Sequence, residues 1–377
     1  LRDAHTDSQP LPDSMEWSAA YTEQNLQEFM DLCSEKHVVY SRPRSFLHQA
    51  RLFFNVRDSE NVAVHVERSG PEDNTFNDTP QHWIRIAETN VVPQIGLARG
   101  LKHLKNRNIE VNRVHLDVVP DGDQSETVMI RLLVNNPGSW DNLEREIKRL
   151  KWADDTALNI AYQHGPHHHV DILHSEIMTA LVALAQPVLS KQNPFSFSKT
   201  NVDLVLQEPR YNRIAHEIAE VFTARFDPKR VRDDDGFQQQ LSHLRGLISR
   251  NVEEFVASRV LRAMVDGLEA TLRTNLYMEN RYALSMRVDP RLFRPLSNPD
   301  LKWNDEEAES QSNWTTPYGV FFSHGRRFNG FHVRFRDIAR GGLRLVSPGS
   351  ASQHAIESGR HFREAYDLAF GQQLKNK

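Results

Sequence analysis

The chain has 377 residues, 39% hydrophobic and 25% charged, with a formal net charge of −4 and a sequence pI near 6.5. That length holds two or three cored domains, and the near-neutral charge excludes a global pull toward nucleic acid or anionic membrane. The single cysteine, Cys33, excludes an internal disulfide and fits a reducing compartment.

The first 20 residues are polar and proline-bearing, a loose lead-in. Thr22 is placed to cap a helix whose Leu26, Phe29, Met30 and Leu32 share a face. Arg51–Val56 and Val62–Glu67 read as two extended runs joined by Asp58-Ser59-Glu60-Asn61, a β-hairpin. A polar linker at 70–81 follows. His82–Glu88 then alternates as a strand, Pro93 opens a helix through Ile95, Leu97, Leu101 and Leu104, and Val111–Val119 and Thr127–Val134 form two strands around Pro120-Asp121-Gly122-Asp123. A charged helix through Leu143, Ile147 and Leu150 completes a strand–helix–strand–strand–helix order, that of a split βαβ unit.

From Asp171 the pattern turns helical. Asp171 caps a helix through Leu173, Ile177, Leu181 and Leu184 that the spacing ends near Pro187. Further helices are predicted over Tyr211–Phe226, Phe237–Leu247 and Asn251–Leu276. The most apolar stretch, Ile177–Leu189, is short of the ~20 residues a membrane span needs and carries Gln186 and Pro187. Strands resume at Tyr282–Val288, Tyr318–Ser323 and Phe328–Arg336, on either side of a polar stretch at 297–313.

The Phe328–Arg336 strand sets Phe331, Val333 and Phe335 on one face and His332, Arg334 and Arg336 on the other. It leads into Arg340-Gly341-Gly342-Leu343-Arg344. Paired glycines let backbone N–H groups approach a ligand with no Cβ in the way, and flanking guanidiniums are forked donors suited to a carboxylate. Read alone, the string is equally a tight turn whose arginines pair with surface acids. About two dozen residues on, a helix with Phe362, Ala365, Tyr366, Ala369 and Phe370 buried carries Gln372 and Lys375, three apart and on one face. An amide beside an ammonium grips a carboxylate well.

Two other constellations invite a different chemistry. His164-Gly165-Pro166-His167-His168-His169, with His174, lacks a carboxylate–histidine motif at helical spacing, so no metal site is expected and the string is read as a solvated loop. Arg326, Arg327, Arg334, Arg336, Arg340 and Arg344 interleave with phenylalanines, but strand alternation buries those rings, so no nucleic-acid surface is expected.

The pairing of Arg340-Gly341-Gly342-Leu343-Arg344 with Leu368-Ala369-Phe370-Gly371-Gln372-Gln373-Leu374-Lys375-Asn376 resembles the glutamate, leucine and phenylalanine dehydrogenase superfamily. There a Lys-Gly-Gly-(Leu/Ile)-Arg turn precedes a helix with a Leu-Ala-Phe-x-Gln-x-x-Lys-Asn string. Gly330–Leu343 looks most like the large-subunit, NAD-specific glutamate dehydrogenases, whose arginine replaces that lysine. The motif-level likeness covers 317–377.

The resemblance implies that Arg340 meets one substrate carboxylate, that Gly341 and Gly342 shape the turn, and that Gln372 and Lys375 hold the amino-acid carboxylate. Arg344 would brace the turn. Gly371 departs from the pattern just before the binding pair. The implied reaction is NAD-dependent oxidative deamination of L-glutamate to 2-oxoglutarate and ammonia. The catalytic lysine and the NAD site are expected beyond Lys377, so no catalytic and no cofactor-binding residue is assigned here and the fragment alone is expected to be inactive.

The expected class is α+β. Its parts are residues 1–69, a lead-in helix and β-hairpin; 70–160, an ACT-like α+β domain; 161–278, a helical region; and 279–377, the start of a dehydrogenase substrate-binding domain. The ACT likeness is one of topology. A homo-oligomer in the mitochondrial matrix or cytoplasm is expected, with no membrane partner. An amino-acid-sensing module or an oligomerisation scaffold, each without catalysis, stands beside this reading.

Overall fold

The computed structural model describes residues 23–57, 59–69, 81–121, 125–135, 140, 142–163, 170–278, 281–296, 303–304, 317–326, 328–334 and 342–346. The chain divides into two units, Leu1–Lys151 and Trp152–Lys377. Both units combine helices with an antiparallel sheet, an α+β class, and in the second the helices precede the sheet.

Unit 1 begins with helices α1 (Glu23–Leu32), α2 (Glu35–Tyr40) and α3 (Pro43–Val56), followed by strand β1 (Val62–Arg68). Strand β2 (Gln81–Thr89), helix α4 (Pro93–Asn106), strands β3 (Val111–Asp121) and β4 (Ser125–Asn135), and helix α5 (Leu143–Arg149) complete it. The predicted hairpin at 51–67 is not formed, because Arg51–Val56 is the end of α3. The Leu52-Phe53-Phe54 run suggested a strand by propensity. The stronger signal is the helical recurrence of Phe46, Ala50 and Phe53, all buried against Phe29, Ala87 and Met129, with Pro43 at the first turn.

The sheet order is β1-β2-β4-β3, every neighbouring pair antiparallel. β2 and β3 therefore run parallel with β4 between them, the split βαβ arrangement read from the sequence. Its fourth place, beside β2, is filled by β1, a strand that precedes the unit. All nine residues of β2 are buried. Helices cover both faces: α3 lies over Ala87 and Met129, while α4 lies over Ile86, to which a Cβ on Gly100 would come within 4.0 Å. Asn108, at φ 55°, stops α4 in the left-handed conformation that asparagine tolerates.

Unit 2 holds α6 (Asp155–Tyr162), α7 (Ile172–Gln192), α8 (Lys199–Gln207), α9 (Pro209–Phe226), α10 (Asp234–Asn251) and α11 (Phe255–Ala270). Strands β5 (Thr271–Thr274), β6 (Leu284–Val288), β7 (Gly319–Gly325), β8 (Phe328–Arg334) and β9 (Gly342–Val346) follow, with a 3-10 turn at Pro290–Leu296.

Asp171 caps α7 as expected, its carboxylate accepting from the Leu173 N–H at 2.7 Å. The helix does not end near Pro187; it continues to Gln192. Burial of Ile177, Leu181 and Leu184 against the core offsets a proline cost of about 3 kcal/mol. α7 is also long and apolar enough to cross a membrane by length and composition, but 72% of its apolar window is buried inside the fold.

The predicted helix Asn251–Leu276 is corrected at both ends. α10 runs through Asn251, and α11 starts at Phe255 because the Glu254 carboxylate accepts from the N–H groups of Val256 and Ala257. At Thr271 the chain passes into β5, one β-branched threonine at each end of that strand.

The five-stranded sheet has the order β5-β6-β7-β8-β9, all antiparallel. Val288, Val320 and Phe322 join the apolar side chains of α7, α9, α10 and α11 in one core, with Phe331 and Val333 packed against it.

Candidate functional site

The Arg-Gly-Gly string lies where β8 returns as β9. Gly342 is the first residue of β9 and stands opposite Val333. Thr271, Val288, Val320, Val333 and Gly342 are successive partners across the five strands. The glycine is thus tied through the ladder to the end of α11. Sequence reading made Gly342–Arg344 part of a turn and did not find this edge strand. Glycine at its first position and leucines at 343 and 345 were the available signal.

The predicted alternation of β8 holds over the described residues. Phe331 packs edge-on against Phe293 with centroids 5.5 Å apart and against Phe322 at 4.7 Å. On the opposite face His332 is near Phe321, and Arg334 is exposed. Burial, then the Arg334 charge, hold the His332 imidazole below its ordinary pKa.

At the same end of the sheet, Asp289 follows β6 and accepts a forked pair from Arg291 at 2.6 and 2.9 Å. Burial alone would raise its pKa; the Arg291 hydrogen bonds outweigh it and the pKa is lowered. A carboxylate paired with a guanidinium makes this sheet end polar but not anion-repelling.

Of the residues assigned to the substrate site, Gly342 is placed as described. Arg340, Gly341, Gln372 and Lys375 lie outside the described residues, as do Phe335, Arg336 and the string His164–His169. His174, grouped with that string in the sequence, has its Nδ1 3.0 Å from His216 Nε2 on α9.

No two hydrogen-bonded strands run parallel among the described residues. They do not supply the parallel strand–helix–strand unit on which a dinucleotide is held.

What the fold and this site define is an α+β chain whose second unit ends its described course on a glycine-led edge strand. Residues 247–350, from the last turn of α10 through β9, match the family model described as bacterial NAD-glutamate dehydrogenase, catalytic domain. The chain is 33% identical over 176 residues to glutamate dehydrogenase 2 of Dictyostelium discoideum, covering 46% of this chain and 15% of that protein. It is 39% identical over 109 residues to the NAD-specific glutamate dehydrogenase of Saccharomyces cerevisiae, covering 29% and 9%. The Neurospora crassa protein of the same name is 32% identical over 136 residues, covering 36% and 12%. The resemblance to large NAD-specific glutamate dehydrogenases is thereby borne out, and the chain spans under a sixth of the length of these relatives.

Proposed function

We propose that this chain is part of an NAD-dependent glutamate dehydrogenase, acting on L-glutamate and 2-oxoglutarate. The observation that carries the reading is the match over 247–350, which runs into the same Arg-Gly-Gly string that a substrate carboxylate would need. In this reading Arg340 binds one carboxylate of glutamate, and Gly341 and Gly342 bring backbone donors to it. Gln372 and Lys375 hold the second carboxylate. Each charge-assisted hydrogen bond contributes roughly 1.5–3 kcal/mol, enough in combination to fix a small dianion.

NAD, bound elsewhere in the whole protein, supplies the hydride acceptor. The residues named here orient the α-carbon and contribute no proton transfer. Residues 70–160 are read as an ACT-like domain; the split βαβ arrangement of β2, α4, β3, β4 and α5 supports that, and its ligand is left open. A homo-oligomer in the mitochondrial matrix or cytoplasm completes the reading.

The test is glutamate-dependent NAD reduction by the full-length protein that contains this segment. Turnover that stops when Arg340 is changed to alanine, with the fold intact, supports the reading. Absence of any glutamate-dependent reduction by the unaltered protein overturns it.

A further inference from the structure

A second group of residues lies in unit 1, outside the sequence motifs that carried the function. His65 and Glu67 are two apart on β1 and therefore share a face. α3 covers that face and brings His48 onto them. His48 Nε2 is 3.2 Å from Glu67 Oε2, and His65 Nε2 is 3.8 Å from the same oxygen. All three atoms lie within 4.8 Å of one another. We propose that His48, His65 and Glu67 form a binding site for a divalent first-row cation of the zinc class, with one position left for water.

The spacing fits that ion. Metal–ligand bonds of about 2.0–2.1 Å at tetrahedral angles set ligand atoms about 3.3 Å apart. The His48–Glu67 separation already meets this, and the His65 separation is half an ångström long. Two imidazoles and a carboxylate favour zinc, cobalt or nickel over calcium or magnesium, which take oxygen ligands. Side-chain exposures of 13%, 22% and 16% leave the three groups half-buried, with a route to solvent.

The surroundings prepare the carboxylate. Arg85 Nη2 donates to Glu67 Oε1 at 2.5 Å, and to Ser45 Oγ at 3.3 Å. That fixes one oxygen and leaves Oε2 facing the histidines, the supporting contact that ligating carboxylates characteristically have.

One feature resists loading. The two imidazoles stack, centroids 4.3 Å apart and planes at 17°, so their lone pairs run side by side rather than converging. Binding has to turn one ring about χ2, a broad torsion. That rotation and the Arg85 charge make the site weaker than a closed structural zinc site.

The experiment uses the 377-residue chain with His167, His168 and His169 replaced by alanine, so that the histidine string does not contribute. After chelator treatment it is titrated with Zn2+ by calorimetry and with Co2+ by visible absorption. One equivalent is expected, with d–d bands of four-coordinate Co2+, and His48→Ala and His65→Ala each weaken binding at least tenfold. Glu67→Gln keeps an acceptor for Arg85; it should weaken binding similarly while its circular dichroism spectrum shows a folded chain, and it decides the matter if a histidine variant fails to fold. No Zn2+ binding, or affinity unchanged in Glu67→Gln, overturns the proposal and leaves the three residues as a hydrogen-bonded cluster.

Discussion

Arg281 and Glu176 are 105 positions apart in the chain and 2.8 Å apart in space. Their side chains are 1% and 7% exposed, so the pair fastens α7 to the segment entering β6 with almost no help from solvent. Arg281 also donates through Nε to the Leu276 carbonyl at 3.2 Å. Removing one partner strands a buried charge. Glu176→Ala is expected to destabilise unit 2 by about 3–5 kcal/mol, whereas Glu176→Leu combined with Arg281→Met costs far less. Urea midpoints of the two variants check this, and equal losses would contradict it.

Asp117 gives a pH signature in unit 1. It accepts from Arg131 at 3.1 Å and lies 3.1 Å from His37 Nδ1. Burial pushes its pKa up, but the His37 and Arg131 interactions win and the folded value lies below the ordinary 3.8. A depressed carboxylate pKa means stability that is complete above the ordinary value and lost as pH falls through the folded one. Asp117→Asn should therefore be less stable than the parent at pH 7, with the gap closing as pH drops below 3.8. Denaturant midpoints at pH 7, 5 and 3 measure this; a gap constant across that range counts against it.

Gly267 tests how closely α11 and α7 pack. A Cβ there would meet Leu181 Cδ2 and Leu184 Cδ2 at 3.4 Å, ordinary contact. Gly267→Ala is expected to be neutral or to stabilise by up to about 1 kcal/mol through helix propensity. Gly267→Leu should destabilise by about 1–3 kcal/mol through overpacking. Thermal melts check this: Gly267→Leu should melt below the parent, and Gly267→Ala should not.

In the full-length protein, Lys375→Ala should raise the glutamate KM and lower kcat/KM at least tenfold, about 1.4 kcal/mol. Steady-state kinetics decide it. An effect under twofold would mean the carboxylate is held by other groups.

Much of this architecture was legible from period and caps. The split βαβ unit was visible because each strand alternates and Pro93 marks the helix start, and Asp171 announced α7. The failures have two causes. Leu52-Phe53-Phe54 and Pro187 obey local preferences that packing overrides, buried α3 and α7 surfaces deciding the conformation there, whereas at Thr271 the β-branched preference prevails over the helical stripe extended to Leu276. The His48–His65–Glu67 cluster was invisible because the hairpin reading put His48 outside any element. Once α3 is a helix, the two histidines come from different elements folded face to face. The Arg-Gly-Gly string was recognisable as chemistry, yet its end in an edge strand depends on pairing with β8, which no short window reports.

The placement of β1 bears on the order in which the protein can be made. Every strand of the first sheet and the helices on both its faces precede Leu150, so that layer can close while later residues are still being synthesised. The second sheet has no such freedom. β5 emerges with α11 but waits for its partner β6 at Leu284–Val288, and its hydrogen-bonding edge stays open meanwhile. Translation at about 5–20 residues per second makes that a delay of about one to three seconds, during which the Thr271–Thr274 edge has no strand to pair with.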